Sequence, residues 1–289
     1  MANLKEIRGR IASVTSTRQI TSAMKMVAAA KLRKAQTFAT KISPYKSKMA
    51  EMLSLLAETL AEDTDNKYTS KRTVKNILVV AISSNKGLCG AFNSNIIKAV
   101  ADFDRTAKAE NPGVSVKYFA IGKKVAEQIT KRGFDLYKSD FESIDKVSYE
   151  TAGAIAGAVT EAYLSGEFDS IKIIYNHFIN PAVQNTQVEN FLPLQFKAEK
   201  SKFKTDYIFE PDKLTIVNKT IPQWLKTQFL SILAESAAGE QGARMTSMNK
   251  ATDNATELIK ELNISYNKVR QASITNEIIE IVSGANAAK

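Results

Sequence analysis

From Pro222 to Ser283 the chain runs 62 residues without another proline, and residues 235–284 read ESAAGEQGARMTSMNKATDNATELIKELNISYNKVRQASITNEIIEIVSG. That stretch is rich in Ala, Ser, Thr and Asn, and its most apolar residues come last. Helical throughout, it is roughly 90 Å long. Leu258, Leu262, Tyr266 and Val269 form one apolar stripe, Ile274, Ile278, Ile281 and Val282 a second, and Gly284 suits a C-terminal cap. A lone helix of this length and weak amphipathicity does not hold in water, so the pattern demands a partner of similar length. Residues 2–61 supply one. Leu4, Ile7, Ile11 and Val14 step by three, four and three, a heptad seam. The seam then frays, because Arg18 and Lys25 take later core slots. Ile20, Met24 and Val27 sit on a shifted stripe that Ala28, Leu32 and Ala35 continue. Pro44 bends the helix without ending it; Tyr45, Met49, Met52, Leu56 and Leu60 resume the spacing.

Residues 62–74, EDTDNKYTSKRTV, are polar and turn-rich and mark a boundary. Strands are expected at 76–83, 114–121, 170–179 and 186–194, and helices at 93–110, 123–132 and 148–166. This alternation indicates an α/β layer domain, with the strand order open. The expected fold class is therefore α/β: long N- and C-terminal helices forming an antiparallel coiled coil around an inserted α/β domain, in the order 1–61, 62–211 and 212–289. The pairing is antiparallel because the inserted domain joins the end of one helix to the start of the other. Ala237, Ala238, Ala243 and Ala251 allow close approach. Gly239 and Gly242 each cost about 1 kcal/mol in a helix, which points to a bend or to a neighbouring backbone packed close by.

Charge is concentrated at one end. Residues 1–50 carry eleven Lys and Arg against one acid, Glu6, while the whole chain has a net charge of +10. Four readings fit: a nucleic-acid arm, a mitochondrial presequence, a helix facing an acidic protein, or a solvated face. Phe38 and Tyr45 are the only aromatic residues in the basic segment, which disfavours nucleic acid. No run of 18 apolar residues spans a bilayer, and no secretory signal is visible. The single cysteine, Cys89, excludes an internal disulfide.

Catalytic chemistry is hard to find. SSNKGLCGAF (83–92) lies between a strand and a helix, where phosphate loops occur, yet it lacks G-x-x-x-x-G-K-[ST], as does AIGKK (120–124). Cys89 reads as a small packed residue, and His177, the sole histidine, as a packed or edge imidazole. No triad, metal set or cofactor motif is present. The residues describe a chain with no catalysis, cofactor or metal of its own, and one that binds no ATP in isolation.

Residues 1–36 (MANLKEIRGRIASVTSTRQITSAMKMVAAAKLRKAQ), 83–96 (SSNKGLCGAFNSNI) and 235–285 closely resemble the gamma subunits of F-type ATP synthases. The middle, about 100–230, matches mainly in layout. The chain lacks the cysteine-pair insert of chloroplast members and begins at the family motif, which indicates a bacterial member. The resemblance implies an antiparallel coiled coil within a hexamer of three alpha and three beta subunits. It also implies a Rossmann-like foot bound to epsilon and the membrane c-ring, in one copy per complex, peripheral to the cytoplasmic side of the inner membrane. Residues matching family positions that engage beta are Met24, Arg244, Arg270, Gln271 and Thr275, with Glu240 and Gln241 as weaker matches. Ile278, Ile281 and Val282 match a bearing tip. Two other readings remain at this stage: a basic coiled-coil nucleic-acid-binding protein, predicting steeply salt-dependent binding, and a nucleotide-using α/β enzyme, predicting nucleotide binding by the isolated chain.

Overall fold

The computed structural model describes residues 4–55, 67–70, 72–194, 210 and 212–287. In chain order the elements are α1 (Leu4–Leu55), β1 (Asn76–Ile82), α2 (Phe92–Glu110), β2 (Ser115–Ile121), α3 (Lys123–Lys131), β3 (Asp135–Asp140), α4 (Tyr149–Leu164), β4 (Ser170–Asn180), β5 (Val183–Leu192) and α5 (Lys213–Ala287). They fall into two compact units, one of residues 1–28 and 245–289, the other of residues 29–244.

In the larger unit the five strands form one sheet in the order β3-β2-β1-β4-β5. The first four run parallel and β5 closes an antiparallel hairpin on β4. This is the strand order of a Rossmann half-sheet with an added hairpin strand. Alternation along β1 sorts the core. Leu78, Val80 and Ile82 face α4, the end of α1 and the first turns of α5, where Leu53, Val159, Val217, Ile221, Leu225 and Phe229 are buried. Ile77, Val79 and Ala81 face α2 and α3, packing with Ile96, Val100, Val125 and Ile129. Ser148 starts α4 with a reciprocal cap: its hydroxyl accepts from the Thr151 N–H and the Thr151 hydroxyl accepts from the Ser148 N–H, each at 3.2 Å.

Three expectations need correction. β3, reading DLYKSD, was not anticipated: it is a short, polar edge strand with no residue fully buried. The hairpin strand begins at Val183 rather than at 186, because β4 and β5 join through a tight turn in which Asn180 Oδ1 accepts the N–H groups of Ala182 and Val183. The C-terminal helix runs from Lys213 to Ala287 and carries Pro222 inside it. Burial of Val217 and Ile221 fixes the turns ahead of the proline. The expected extension of the first helix from 56 to 61 lies outside the described residues; within them α1 is continuous through Pro44.

The third correction concerns the seam, which does not fray. In the smaller unit Leu4, Ile7, Ile11, Val14, Arg18, Thr21, Lys25 and Ala28 are all buried or half-buried at unbroken a/d spacing. On α5 the matching seam is Met245, Met248, Thr252, Ala255, Ile259, Leu262, Tyr266, Val269 and Ser273. Ile259 takes the slot assigned to Leu258, which is exposed. Polar slots hold because they find each other. The Thr252 hydroxyl donates to that of Thr21 at 2.9 Å, and Lys25 Nζ donates to Asn249 Oδ1 at 2.6 Å. These two contacts advance along α1 while retreating along α5, so the helices are antiparallel. The larger unit repeats the arrangement: Leu32, Ala35, Ala39, Ile42, Lys46, Met49 and Leu53 continue heptad spacing, and Lys46 donates to the Ser231 hydroxyl at 3.3 Å.

Candidate partner interface

The residues matched to partner contacts fall in both units. Met24 is half-buried at the margin of the coiled-coil seam, next to Lys25. Arg270, Gln271 and Thr275 are exposed on α5. The Thr275 hydroxyl donates to the Gln271 carbonyl at 2.9 Å, so these two share a face, as their spacing of four requires. Ile278, Ile281 and Val282 are 55%, 70% and 53% exposed, and every residue from 274 to 286 is exposed.

The seam ends for a sequence reason. Past Ser273 its next slots are Asn276, Glu280 and Ser283, all polar. At ~100° per residue, Ile274, Ile278, Ile281 and Val282 span an arc of about 100°, centred about 140° from the seam. Arg270 and Thr275 border that arc and Gln271 lies inside it. The apolar tip is thus a second, outward surface, edged by the polar residues matched to partner contact.

Arg244 belongs to the larger unit and is only 9% exposed. Its Nη1 donates to Glu240 Oε1 at 2.6 Å, and its Nη2 donates to the carbonyls of Lys86 and Gly87 at 3.1 and 3.3 Å. Burial pushes the Glu240 carboxyl above its ordinary pKa, and the Arg244 guanidinium pulls it back down. Gln241 is half-buried beside the pair. The loop after β1 therefore turns carbonyls toward a cation, whereas a phosphate loop turns N–H groups toward an anion. The same loop lies at the carboxyl end of β1, where the strand order switches to β4 and doubly wound folds bind ligands. Here the chain's own helix packs against it. Ala243 meets Cys89 and Phe92. A Cβ on Gly239 would lie 3.3 Å from the Phe92 ring, and one on Gly242 would lie 3.0 Å from the Pro181 backbone. Close approach accounts for both glycines, and it is made to the α/β elements.

The rest of the loop is internally fastened. The Ser84 hydroxyl lies 2.6 Å from the Lys86 carbonyl, Asn93 Oδ1 accepts the Ser84 N–H at 3.1 Å, and Asn93 Nδ2 donates to Cys89 Sγ at 3.2 Å. Cys89 is buried, and that burial raises its thiol pKa. His177 is partly exposed and pairs through Nδ1 with Glu235 at 2.6 Å. Two features escaped sequence reasoning: the internal commitment of Arg244, and Leu88, which is 65% exposed at a positive φ of 63°. A leucine directly after a glycine gave no sign that the leucine, not the glycine, takes the left-handed conformation.

Comparison with known proteins agrees with this architecture. A family model described as ATP synthase matches residues 3–288. The chain is 52% identical over 288 residues to the ATP synthase gamma chain of Christiangramia forsetii, covering 99% of each. It is also 52% identical over 291 residues to the gamma chain of Flavobacterium johnsoniae, covering 99% of each. Among solved structures, a chain from the central stalk and c-ring of the Tetrahymena thermophila mitochondrial ATP synthase is 26% identical with a TM-score of 0.59, covering 80% of this chain and 99% of that one. A chain from the Euglena gracilis mitochondrial ATP synthase (OSCP/F1/c-ring) shares the fold at 22% identity with a TM-score of 0.67, covering 98% of this chain and 94% of that one. With the family model spanning nearly the whole length and relatives sharing half their residues, the chain belongs to the ATP synthase gamma-chain family.

Proposed function

We propose that this chain is the central-stalk rotor subunit of a bacterial proton-translocating F-type ATP synthase. It passes torque from the membrane c-ring to the catalytic beta subunits and performs no catalysis itself. Its partners are three alpha and three beta subunits, epsilon and the c-ring, and it carries no cofactor. It is peripheral to the cytoplasmic face of the inner membrane through the complex; among the described residues no helix is long and apolar enough to cross a membrane. The observation that carries the reading is the division of α5 into a paired seam ending at Ser273 and an unpaired, outward apolar stripe beyond it. A helix that exposes Ile278, Ile281 and Val282 in water is built to be enclosed by something else.

Met24, Arg270, Gln271 and Thr275 are assigned to beta contact and Ile278, Ile281 and Val282 to the bearing; Arg244 acts from within the larger unit. Neutral hydrogen bonds contribute about 0.5–1.5 kcal/mol and those to a charge about 1.5–3, so losing Arg270, Gln271 and Thr275 together costs a few kcal/mol at one rotary dwell. The triple alanine variant is expected to assemble with alpha and beta and to hydrolyse ATP at least tenfold more slowly, with Arg270→Ala the most damaging single change. Normal turnover in an intact complex would remove these residues from the interface. Failure of the unaltered chain to co-purify with alpha and beta, together with salt-sensitive nucleic-acid binding, would favour the DNA- or RNA-binding alternative.

A further inference from the structure

We infer that the hydrogen-bonded layer of Thr21, Lys25, Asn249 and Thr252 is a register lock. It stops α1 and α5 from sliding past each other under load, and so keeps the contact residues assigned on the two helices at a fixed spacing. Its role under load rests on the central-stalk reading. In the smaller unit three consecutive seam slots of α1, Arg18, Thr21 and Lys25, are polar, and all are buried or half-buried. A polar residue in a coiled-coil core costs stability and specifies register. These slots are tied across the pair. The Thr252 hydroxyl donates to the Thr21 hydroxyl at 2.9 Å, which donates in turn to the Arg18 carbonyl at 3.1 Å. Lys25 Nζ donates to Asn249 Oδ1 at 2.6 Å, and Asn249 Nδ2 donates to Asp253 Oδ2 at 3.0 Å. The amide is therefore held from both ends, with its oxygen turned to Lys25.

The apolar slots do not choose a register by themselves. With Thr21 opposite Thr252, seam spacing sets Val14 against Ile259, Ile11 against Leu262 and Ile7 against Tyr266. Sliding α5 by one heptad, about 10 Å, sets Ile7 against Ile259 and Leu4 against Leu262, pairs as apolar as those lost. The polar layer rejects that slide, because Thr21 then meets Met245, Thr252 meets Val14 and Lys25 loses Asn249. The opposite slide sets Thr21 against Ile259 and Thr252 against Ala28. Either way hydroxyls stay in the seam without their partners, the costly outcome for a buried polar group. Hydrogen bonds also weaken steeply with misalignment, so the layer resists slides much shorter than a heptad, which aliphatic contacts would follow. Met24 lies beside Lys25 on α1, whereas Arg270, Gln271 and Thr275 lie on α5, so any slide changes the spacing between the two sets.

The test compares two variants, each as the isolated full chain and in the membrane-bound complex. The apolar variant combines Thr21→Val, Thr252→Val, Lys25→Leu and Asn249→Leu; the hydroxyl-keeping variant combines Thr21→Ser and Thr252→Ser. Spin labels on Thr17→Cys and Glu257→Cys, exposed positions at the level of the layer, in a Cys89→Ser background, read the spread of interhelical distances. The apolar variant is expected to keep or raise the melting temperature of the isolated chain, since apolar groups replace polar ones in a core. It is also expected to at least double the width of the distance distribution and to lower proton pumping per ATP hydrolysed at least twofold. The serine variant is expected to match the unaltered chain in all three. A layer that only holds the helices together would lose melting temperature along with coupling, and that result would overturn the inference. So would an unchanged width, or a broadened distribution with unchanged coupling. Failure of the unaltered chain to assemble with alpha and beta would strike the central-stalk reading instead, while the width measured on the isolated chain still decides whether the layer locks the register.

Discussion

Gly122 joins β2 to α3 at φ 97° and ψ 141°, directly beneath the loop that follows β1. An added Cβ would lie 2.3 Å from the carbonyl oxygen of Ser83, 2.8 Å from its carbonyl carbon and 2.9 Å from its hydroxyl. The obstacle is backbone, and that backbone is committed: the Ser83 N–H donates to Ile121 at 2.8 Å, and its hydroxyl accepts the Val125 N–H at 3.0 Å. Gly122→Ala therefore incurs two costs, about 1–3 kcal/mol for a non-glycine residue at this φ and about 1–3 kcal/mol for forcing packed groups apart. Together they come to about 2–6 kcal/mol, against about 5–15 for the stability of a typical domain.

Gly113 supplies the control. Its φ is 98°, almost the same, and nothing lies within 4 Å of its hypothetical Cβ. Gly113→Ala should therefore show the cost of a positive φ without a collision, and the larger loss expected from Gly122→Ala reflects the collision with Ser83. Urea unfolding of the full chain, followed by fluorescence of the single tryptophan, Trp224, reads both variants in the same unit. The expected difference is at least about 1 kcal/mol, the low end of the overpacking range. Equal losses from Gly113→Ala and Gly122→Ala would refute the account of a close-packed turn under the loop.

Two further variants test other parts of the structure. Tyr118 is fully buried and donates to Asp104 at 3.2 Å; burial, then the Asp104 charge, raises its pKa far above the ordinary tyrosine value. Above about pH 10 the unfolded tyrosine ionises while the folded one stays neutral, so stability falls as pH rises, by up to ~1.4 kcal/mol per pH unit. Tyr118→Phe is expected to be less stable near pH 7 but to lose stability less steeply above pH 10, as measured by urea midpoints across that range; equal slopes would contradict the assignment. Replacing the exposed Arg33 and Lys34 with Glu reverses charge on a segment assigned to an acidic neighbour. With exposed pairs worth about 0–1 kcal/mol each, proton-coupled turnover should fall moderately at low ionic strength and recover with salt, and unchanged coupling at low salt would count against an acidic partner.

The inserted domain was legible wherever burial was two-sided. NILVVAI, with six of its seven residues buried, could only be a central strand. DLYKSD carries no such signal, since it is held by β2 on one edge and needs little apolar side chain to stay there. Pro222 is held inside the helix because Val217 and Ile221 anchor the preceding turns in the core, a tertiary effect that propensity does not carry. Arg18 and Lys25, which flank the polar Thr21 slot, suggested a broken seam because apolar periodicity counts residue types one helix at a time. Thr252 and Asn249, more than 220 positions away, make two of those slots acceptable. Arg244 was placed among partner contacts on its match to the family motif. Its bonds to Lys86 and Gly87 depend on a loop that sequence reasoning treated only as a failed phosphate site.

The end of α5 yields the last prediction. Residues 274–287 continue the helix past the seam, where no described slot of α1 remains to meet them: the register of the Thr21–Thr252 and Lys25–Asn249 contacts, extended, brings Leu4 opposite the last seam positions. Fourteen residues are about the length at which an isolated helix is marginal even with ideal composition, and four isoleucines and a valine lower the propensity further. The tip helix therefore has little stability of its own. Amides of 274–287 in the isolated full chain should exchange within about tenfold of the unprotected rate, equivalent to an opening free energy near 0–1 kcal/mol. Those of 248–269 should be slower by several powers of ten, because opening them breaks the seam. In the complex with alpha and beta, burying Ile278, Ile281 and Val282 at about 1.5–3 kcal/mol each is expected to slow exchange at the tip by at least a hundredfold. Hydrogen exchange read by mass spectrometry on both samples decides it. A tip already as protected as the seam in the isolated chain would mean that it needs no sleeve, and the case for a bearing built from its outward stripe would fail.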